Sequence, residues 1–237
     1  MPSDSKQKIL ITGASRGIGR ATAEQLYRNG WQVVAIARDF SDWSNRPSEI
    51  DIIELDLSQT AHLPKQLKAI AKEHPDINAV ICNAGAGHFG ALEQFSYQQI
   101  EAMVQLNLLQ HLFISRAFIP QIKHRGGGSL IFVGSESALS GGRYGAIYSA
   151  CKFALRGFAQ SLREECSSRG IHVGIINPGM VKSHFFDDLN FKPGDDPANS
   201  IPVFEVAKAI ESMLNAGPHT VIDEINLSPL KKVVKKK

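Results

Sequence analysis

Seven short apolar runs rich in β-branched residues punctuate the chain, at 8–12, 32–37, 52–55, 79–82, 129–133, 172–176 and 220–225. Between them lie longer stretches with helical spacing of apolar residues, at 18–28, 63–73, 100–123, 147–168 and 203–215. Near-continuous apolar runs suit strands covered on both faces, as in a parallel sheet under helices. Their alternation with helical stretches predicts right-handed crossovers and one α/β domain: a doubly wound, seven-stranded parallel sheet with helices on both faces. One connection is irregular. Residues 38–51 carry Trp43, Pro47 and many polar side chains, so a loop or a very short helix is expected between the second and third strands.

Nothing divides the chain: no repeat, low-complexity tract or Pro/Ser linker interrupts it, and 237 residues suffice for a full core. Hydrophobic residues at 43% and charged residues at 21% argue against global disorder. No apolar run approaches the roughly 18 residues of a membrane span, and residues 1–6 lack the basic-then-apolar layout of a secretory signal. Cys82, Cys151 and Cys166 are odd in number and scattered, which speaks against a disulfide framework or zinc site and for a reducing cytoplasm. None of the eight histidines has metal-ligand spacing.

The net charge of +3 misleads, because Lys231, Lys232, Lys235, Lys236 and Lys237 crowd the end; without those five, 21 basic residues face 23 acidic ones. The expected division is therefore a domain over 1–230 and a basic tail over 231–237. A solvated or frayed tail is the plainer expectation. A weak contact with an anionic membrane or RNA is the alternative, and a nucleic-acid-binding face on the body is not expected.

The first strand runs into Thr12-Gly13-Ala14-Ser15-Arg16-Gly17-Ile18-Gly19 and then a helix. Glycines there let the backbone approach a pyrophosphate, which rests on the helix N-terminus in a Rossmann fold. The spacing Gly13, Gly17, Gly19 differs from the general GxGxxG fingerprint. At the end of the second strand, where sites for NAD place an acidic residue for the ribose 2′-hydroxyl, the chain has Ala37 and Arg38. Neutral then basic favours the 2′-phosphate of NADP over NAD, with Arg16 a second cation, because the guanidinium donates two parallel hydrogen bonds to phosphate. Asp39 is either a shifted ribose ligand or the cap of a turn.

Tyr148 and Lys152 are spaced i, i+4 at the start of a helical stretch, on one face. A free phenol titrates near pH 10, and a neighbouring ammonium is expected to lower that value toward neutrality. An exposed helical pair is the plain alternative.

With these motifs in order, nearly the whole chain resembles the short-chain dehydrogenase/reductase family, in its shorter branch. The glycine turn resembles that branch's cofactor turn, and Asp56 beside Leu57 its adenine contact. Asn83-Ala84-Gly85 is similar to its NAG motif. Ser135, 13 residues before Tyr148, falls where the family has its catalytic serine, and Asn107 where it has a relay asparagine. The stretch Pro178-Gly179-Met180-Val181-Lys182-Ser183 resembles its PGxVxT segment, with Ser183 for threonine. The resemblance implies an NAD(P)-dependent oxidoreductase acting on a carbonyl or secondary alcohol. Tyr148 would exchange the proton and Ser135 hold the substrate oxygen. Lys152 would lower the tyrosine pKa and bind the nicotinamide ribose, and Asn107 position a relay water. Gly13, Ser15, Arg16, Gly17, Ile18, Gly19, Arg38, Asp56, Leu57, Asn83, Ala84, Gly85, Tyr148, Lys152, Pro178, Gly179, Val181 and Ser183 would contact the cofactor. Each has a plainer alternative: Ser137 rivals Ser135, Asn107 satisfies backbone groups in a kinked helix, and Asp56 caps a turn. Tyr144 reads as a pocket residue and Cys151 as a small packed side chain.

The substrate rim is expected at 87–90, 136–144 and a segment of about 183–202. There Phe185, Phe186 and Phe191 interleave with charge, as a mobile lid or as a packed amphipathic helix or subunit contact. Residues 218–229 resemble the C-terminal strand of NADP-dependent 3-hydroxy acid dehydrogenases. The family also implies a homodimer or homotetramer through the 100–123 and 147–168 helices. Substrate candidates span 3-oxoacyl groups, hydroxy acids and general ketones or aldehydes. A cofactor-sensing NADP(H)-binding protein with little turnover is the alternative, against which the complete set of Asn107, Ser135, Tyr148 and Lys152 speaks.

Overall fold

The computed structural model describes residues 7–237; residues 1–6, read above for the missing secretory layout, lie outside the described residues. The strands are β1 (Lys8–Thr12), β2 (Gln32–Ala37), β3 (Asp51–Glu54), β4 (Ile77–Cys82), β5 (Gly128–Val133), β6 (Ile171–Pro178), β7 (Val181–Lys182), β8 (Phe191–Pro193), β9 (Ile201–Pro202), β10 (Glu224–Leu227) and β11 (Val234–Lys236). The helices are α1 (Gly17–Arg28), α2 (Leu63–Glu73), α3 (Tyr97–Val104), α4 (Gln110–His124), α5 (Ala146–Cys166) and α6 (Val203–Leu214). Among the described residues, seven strands form one parallel sheet in the order β10-β6-β5-β4-β1-β2-β3. The chain winds outward from β1 to β3, then returns to lay β4 on the other side of β1. That reversal opens a crevice above the carboxyl ends of β1 and β4, where doubly wound sheets bind their ligands.

Side-chain alternation explains the two cores. Leu10, Val34, Val80 and Phe132 point to the α2, α4 and α5 face, where they meet Leu67, Phe118 and Leu155. Ile9, Ile11, Val33 and Ile81 point to the other face and meet Leu26 of α1 and Ile210 of α6. Each such side chain, once fully buried, contributes roughly 1.5–3 kcal/mol.

Four expectations shift. The 100–123 helix is broken: α3 ends at Val104, Gln105–Leu109 forms a π turn, and α4 follows. A capping box starts α3, with Ser96 Oγ accepting from Gln99 N at 3.2 Å and Gln99 Oε1 accepting from Ser96 N at 2.9 Å. The last strand is Glu224–Leu227 and not 220–225, because β6 pairs with it from Glu224 onward. Between β2 and β3 there is only the 3-10 turn Ser41–Trp43, as the polar composition implied.

The third correction concerns the tail. It is no frayed appendage: β11 pairs antiparallel with β8, Val234 opposite Pro193 and Lys236 opposite Phe191. The unpaired edge of β8 supplies backbone partners that a lysine-rich composition does not advertise. The 184–202 segment is not a packed amphipathic helix either. It runs as a 3-10 turn (His184–Phe186), β8, a second 3-10 turn (Pro197–Asn199) and β9, with Phe186 and Leu189 buried.

Candidate functional site

The crevice is a cavity of about 1130 Å³ running from the glycine turn to the 184–202 segment. At its base, Gly13 and Gly17 adopt φ of +65° and +59°, left-handed conformations that favour glycine. Thr12 is fully buried, and its Oγ1 accepts from the backbone N–H of Asn83 at 3.0 Å and Ala84 at 3.1 Å. Asn83 Nδ2 answers by donating to the carbonyls of Thr12 at 2.8 Å and Gly13 at 3.1 Å. The glycine turn and the Asn83–Gly85 loop are therefore one unit. Asn83 serves the protein's own backbone, and Thr12, which sequence reasoning did not single out, is its counterpart. Gly13, Ser15, Arg16, Gly17 and Ile18 line the cavity, whereas Gly19 sits beneath, against the Gly13 carbonyl. α1 starts here with no side-chain cap and no acidic residue in its first turn, so its N–H groups and positive dipole end remain available to an anion.

At the far end, Arg16, Arg38, Asp56 and Leu57 also line the cavity. Both arginines are exposed, and neither makes a hydrogen bond through its side chain or an ion pair among the described residues. Asp39 is otherwise engaged: its two oxygens accept from the Ser41 backbone N–H and hydroxyl, both at 2.8 Å. Of the two readings of Asp39, the turn cap is the one formed. Asp56 accepts from the Ser58 hydroxyl at 2.7 Å and N–H at 3.0 Å, both on one oxygen, capping its own turn. Burial works to raise its pKa, but those hydrogen bonds and the Arg38 charge prevail and hold it down.

At the opposite end of the crevice, α5 presents Tyr148 and Lys152 together, both buried. Ser135 follows β5, caps the next 3-10 turn by accepting from Ser137 N at 3.1 Å, and its hydroxyl lies beside the Tyr148 phenol, where it works to lower the phenol's pKa. The Lys152 ammonium donates to the Val133 carbonyl at 2.9 Å and lies 5.7 Å from the Tyr148 ring centre. Both serines line the cavity, and Ser135 is the one whose hydroxyl lies beside the tyrosine. Asn107 stands apart. It occupies the π turn, where its Nδ2 donates to the Met103 carbonyl at 3.0 Å and its Oδ1 accepts from Ala86 N at 3.1 Å. It lines a separate cavity of about 200 Å³ and not the main one. A Cβ placed on Gly85 would lie 2.9 Å from Asn107 Oδ1 and 3.8 Å from Lys152 Nζ, so Gly85 is what lets the two polar groups draw near. Pro178, Gly179, Val181 and Ser183 also line the cavity, with Ser183 close to Gly17.

The sequence model described as short chain dehydrogenase matches residues 7–193. The chain belongs to the short-chain dehydrogenase family. Among family relatives, the 3-oxoacyl-[acyl-carrier-protein] reductase FabG of Buchnera aphidicola is 30% identical over 193 residues, covering 78% of each chain. The 17-beta-hydroxysteroid dehydrogenase type 1 of Mus musculus is 30% identical over 199 residues, or 78% of this chain and 57% of that one. The alcohol dehydrogenase of Thermococcus sibiricus, solved with 5-hydroxy-NADP, superposes with a TM-score of 0.84 at 25% identity, covering 97% of this chain and 99% of that one. Membership makes this chain a nicotinamide-dependent oxidoreductase acting on a small molecule. Among the described residues, no helix is long and apolar enough to cross a membrane, and no cluster of side chains could hold a metal ion.

The family pair Tyr148 and Lys152 meets as its spacing predicts, yet its electrostatics run against expectation. Phe89 and Phe185 cover the phenol, with ring centres 5.3 Å and 6.0 Å from Tyr148. Burial thereby pushes the Tyr148 pKa up to about 12, against the lowering effect of the Ser135 hydrogen bond. Burial also pulls Lys152 down to about 8, so at neutral pH its ammonium is a weaker counter-charge than a free lysine. Between about pH 8 and 10.5 an unfolded chain holds a proton on Lys152 that the folded one has released, so the wild type gains stability with rising pH there. Relative to Lys152→Met the gain is roughly 1.4 kcal/mol per pH unit. Urea unfolding of both proteins at pH 7.5 and pH 10 measures it; a pH-independent difference between them refutes the shifted lysine.

Proposed function

We propose that the protein is an NADP(H)-dependent reductase of carbonyl compounds, equally a dehydrogenase of the secondary alcohols they form. The observation that carries this reading is the polarity of the crevice. A tyrosine with a serine and a buried lysine beside it stands at one end, and at the other are two exposed arginines that, among the described residues, make no side-chain hydrogen bond or ion pair. Ser41 engages both oxygens of Asp39, the acidic group that follows Arg38, which favours the 2′-phosphate. The uncapped start of α1 suits the pyrophosphate, Asp56 and Leu57 the adenine, and Asn83, Ala84 and Gly85 the middle of the dinucleotide. Pro178, Gly179, Val181 and Ser183 suit the nicotinamide end.

Bound there, the nicotinamide would supply or accept a hydride. The chain's own part is the proton. Tyr148, protonated at working pH, would donate from its Oη to the carbonyl oxygen, and Ser135 Oγ would hold that oxygen as negative charge develops. Lys152 would anchor the ribose hydroxyls and return a proton toward Tyr148. The free lone pair of Asn107 Oδ1 suits the water relay behind Lys152. Phe89, Phe185, Phe186, Phe191 and Met180 line the substrate end, which fits a carbonyl with a bulky apolar body better than a small hydroxy acid. On α5, Phe153 is 43% exposed, an apolar contact suited to the homodimer or homotetramer that the family implies.

The test is NADPH and NADH consumption against 3-oxoacyl thioesters, small oxo acids and semialdehydes, aromatic diketones and ketoses. The expected result is NADPH-dependent turnover, fastest on aromatic or long-chain ketones. NADPH binding without turnover on any class shifts the reading to a cofactor-sensing protein. Arg38→Asp is expected to weaken NADPH binding about 10- to 100-fold, the worth of one charge-assisted hydrogen bond, and to leave NADH nearly unchanged. An unaltered preference moves the phosphate contact to Arg16.

A further inference from the structure

We infer that the C-terminal strand is a wall of the substrate site, and that residues 231–237 help to decide which carbonyl compounds the enzyme accepts. Val234 lines the same cavity as Tyr148 and Phe191. In the antiparallel register Val234 and Lys236 oppose Pro193 and Phe191, and Lys235 opposes Lys192. Side chains alternate across a strand, so Val234 shares the cavity-facing side with Phe191 while Lys235 and Lys192 turn outward.

The tail is tied along the whole of the segment that covers the site. The Lys231 N–H donates to the Ala198 carbonyl at 2.9 Å, and the Lys231 carbonyl accepts from Asn199 Nδ2 at 3.0 Å. The Val233 carbonyl accepts from the Gly194 N–H at 3.0 Å, and the Lys237 N–H donates to the Asn190 carbonyl at 2.9 Å. The lysine side chains add charge to this backbone lacing. Lys235 joins Lys192 in pairing with Asp195, and the Lys237 ammonium donates to the carbonyls of Phe186 and Asp187. Lys232 pairs at 2.8 Å with Glu136, the residue that follows Ser135. One end of the strap is thus fastened beside the catalytic serine and the other beside the phenylalanines over Tyr148. These ion pairs are exposed, each worth little alone and weakened by salt, so the hold rests on their sum and on the backbone bonds.

The wall rests on the reductase reading for its substrate, but its presence does not, so two readouts separate them. Hydrogen exchange with NADPH alone is measured on the full chain, on a chain ending at Leu230, and on full-length Lys232→Glu/Lys235→Glu. Amides of the 186–199 segment are expected to exchange at least about tenfold faster in both variants, with β1 and β4 unchanged. In the wild type the same amides lose protection as salt rises from about 0.05 to 0.5 M. On the substrate panel, full-length Val234→Ser is expected to raise KM for the bulkiest apolar carbonyl about tenfold, roughly one buried branched side chain. Its kcat and the KM for the smallest carbonyl stay near wild type. Unchanged exchange in the charge-reversed chain overturns the strap, and an unchanged KM ranking in Val234→Ser overturns the wall. If no carbonyl is turned over by the wild type, the reductase reading fails. The wall inference falls with it only if the 186–199 amides also exchange alike in all three chains.

Discussion

Tyr148→Phe is expected to lower kcat for carbonyl reduction by about 10³- to 10⁴-fold, the upper range for loss of a positioned general acid. NADPH binding should remain within about twofold of wild type. The substitution removes one oxygen and nothing else of the packing. Its ring centre stays about 5.3 Å from Phe89 and 6.0 Å from Phe185, and Lys152 keeps its bond to the Val133 carbonyl. Ser135 loses a neighbouring hydroxyl but still accepts from the Ser137 N–H, so the cost in stability is at most about 1 kcal/mol. A large drop in melting temperature therefore signals misfolding, while an inactive enzyme with normal melting and normal cofactor affinity supports the proton role. The phenol's pKa of about 12 adds a directional signature. Tyrosine stays protonated through the physiological range, so the proton donor for reduction is always loaded and the reduction rate is flat in this group from pH 6 to 9. Alcohol oxidation needs the phenolate and is expected to climb with pH across the same interval. An oxidation rate that levels off below pH 8 means that substrate and cofactor bring the phenol down by several units.

The contrast between spacing and environment marks what a sequence of this kind discloses. Tyr148 and Lys152 are legible because helical geometry alone brings i and i+4 together. The glycine turn is legible because Gly13 and Gly17 hold backbone angles that other residues resist. Ser135 and Asn107 are legible only through family likeness, since nothing local sets a serine after β5 apart from Ser137 two residues on. What escapes depends on partners distant in the chain. The phenol's high pKa comes from Phe89 and Phe185, rings on two separate loops. Asp39 was ambiguous until Ser41 took up both its oxygens. The π turn is invisible because Gln105–Leu109 continues the apolar periodicity of α3 and α4, and only the hydrogen-bond ladder changes. The last strand's place is not legible because 220–225 has the β-branched composition, while register against β6 selects Glu224–Leu227. Five terminal lysines read as a solvated run because exposed charge is their ordinary fate; here the strand edge beneath them supplies the partners.

Gly19→Ala is expected to be strongly damaging for a single methyl group, and it separates cofactor architecture from catalysis. Gly19 is fully buried within α1, and an added Cβ would lie near the Gly13 carbonyl oxygen and 2.6 Å from Asn83 Nδ2. Backbone cannot yield there without moving the glycine turn, and Asn83 cannot yield without releasing the carbonyls of Thr12 and Gly13. Overpacking of this kind costs about 1–3 kcal/mol, and each displaced hydrogen bond about 1 kcal/mol more. A total near 3–4 kcal/mol lowers the melting temperature of a chain this size by roughly 6–16 °C. The disturbed unit is also the floor of the pyrophosphate site, so NADPH affinity should fall at least about 100-fold while Tyr148, Ser135 and Lys152 keep their contacts. Gly157→Ala supplies the opposite sign. That glycine lies on the exposed face of α5 with open space around its would-be Cβ, so alanine should stabilise by about 0.5–1 kcal/mol through helix propensity. Melting curves and NADPH titration of the two variants decide the matter: normal cofactor affinity in Gly19→Ala would mean that the dinucleotide does not lie over this turn.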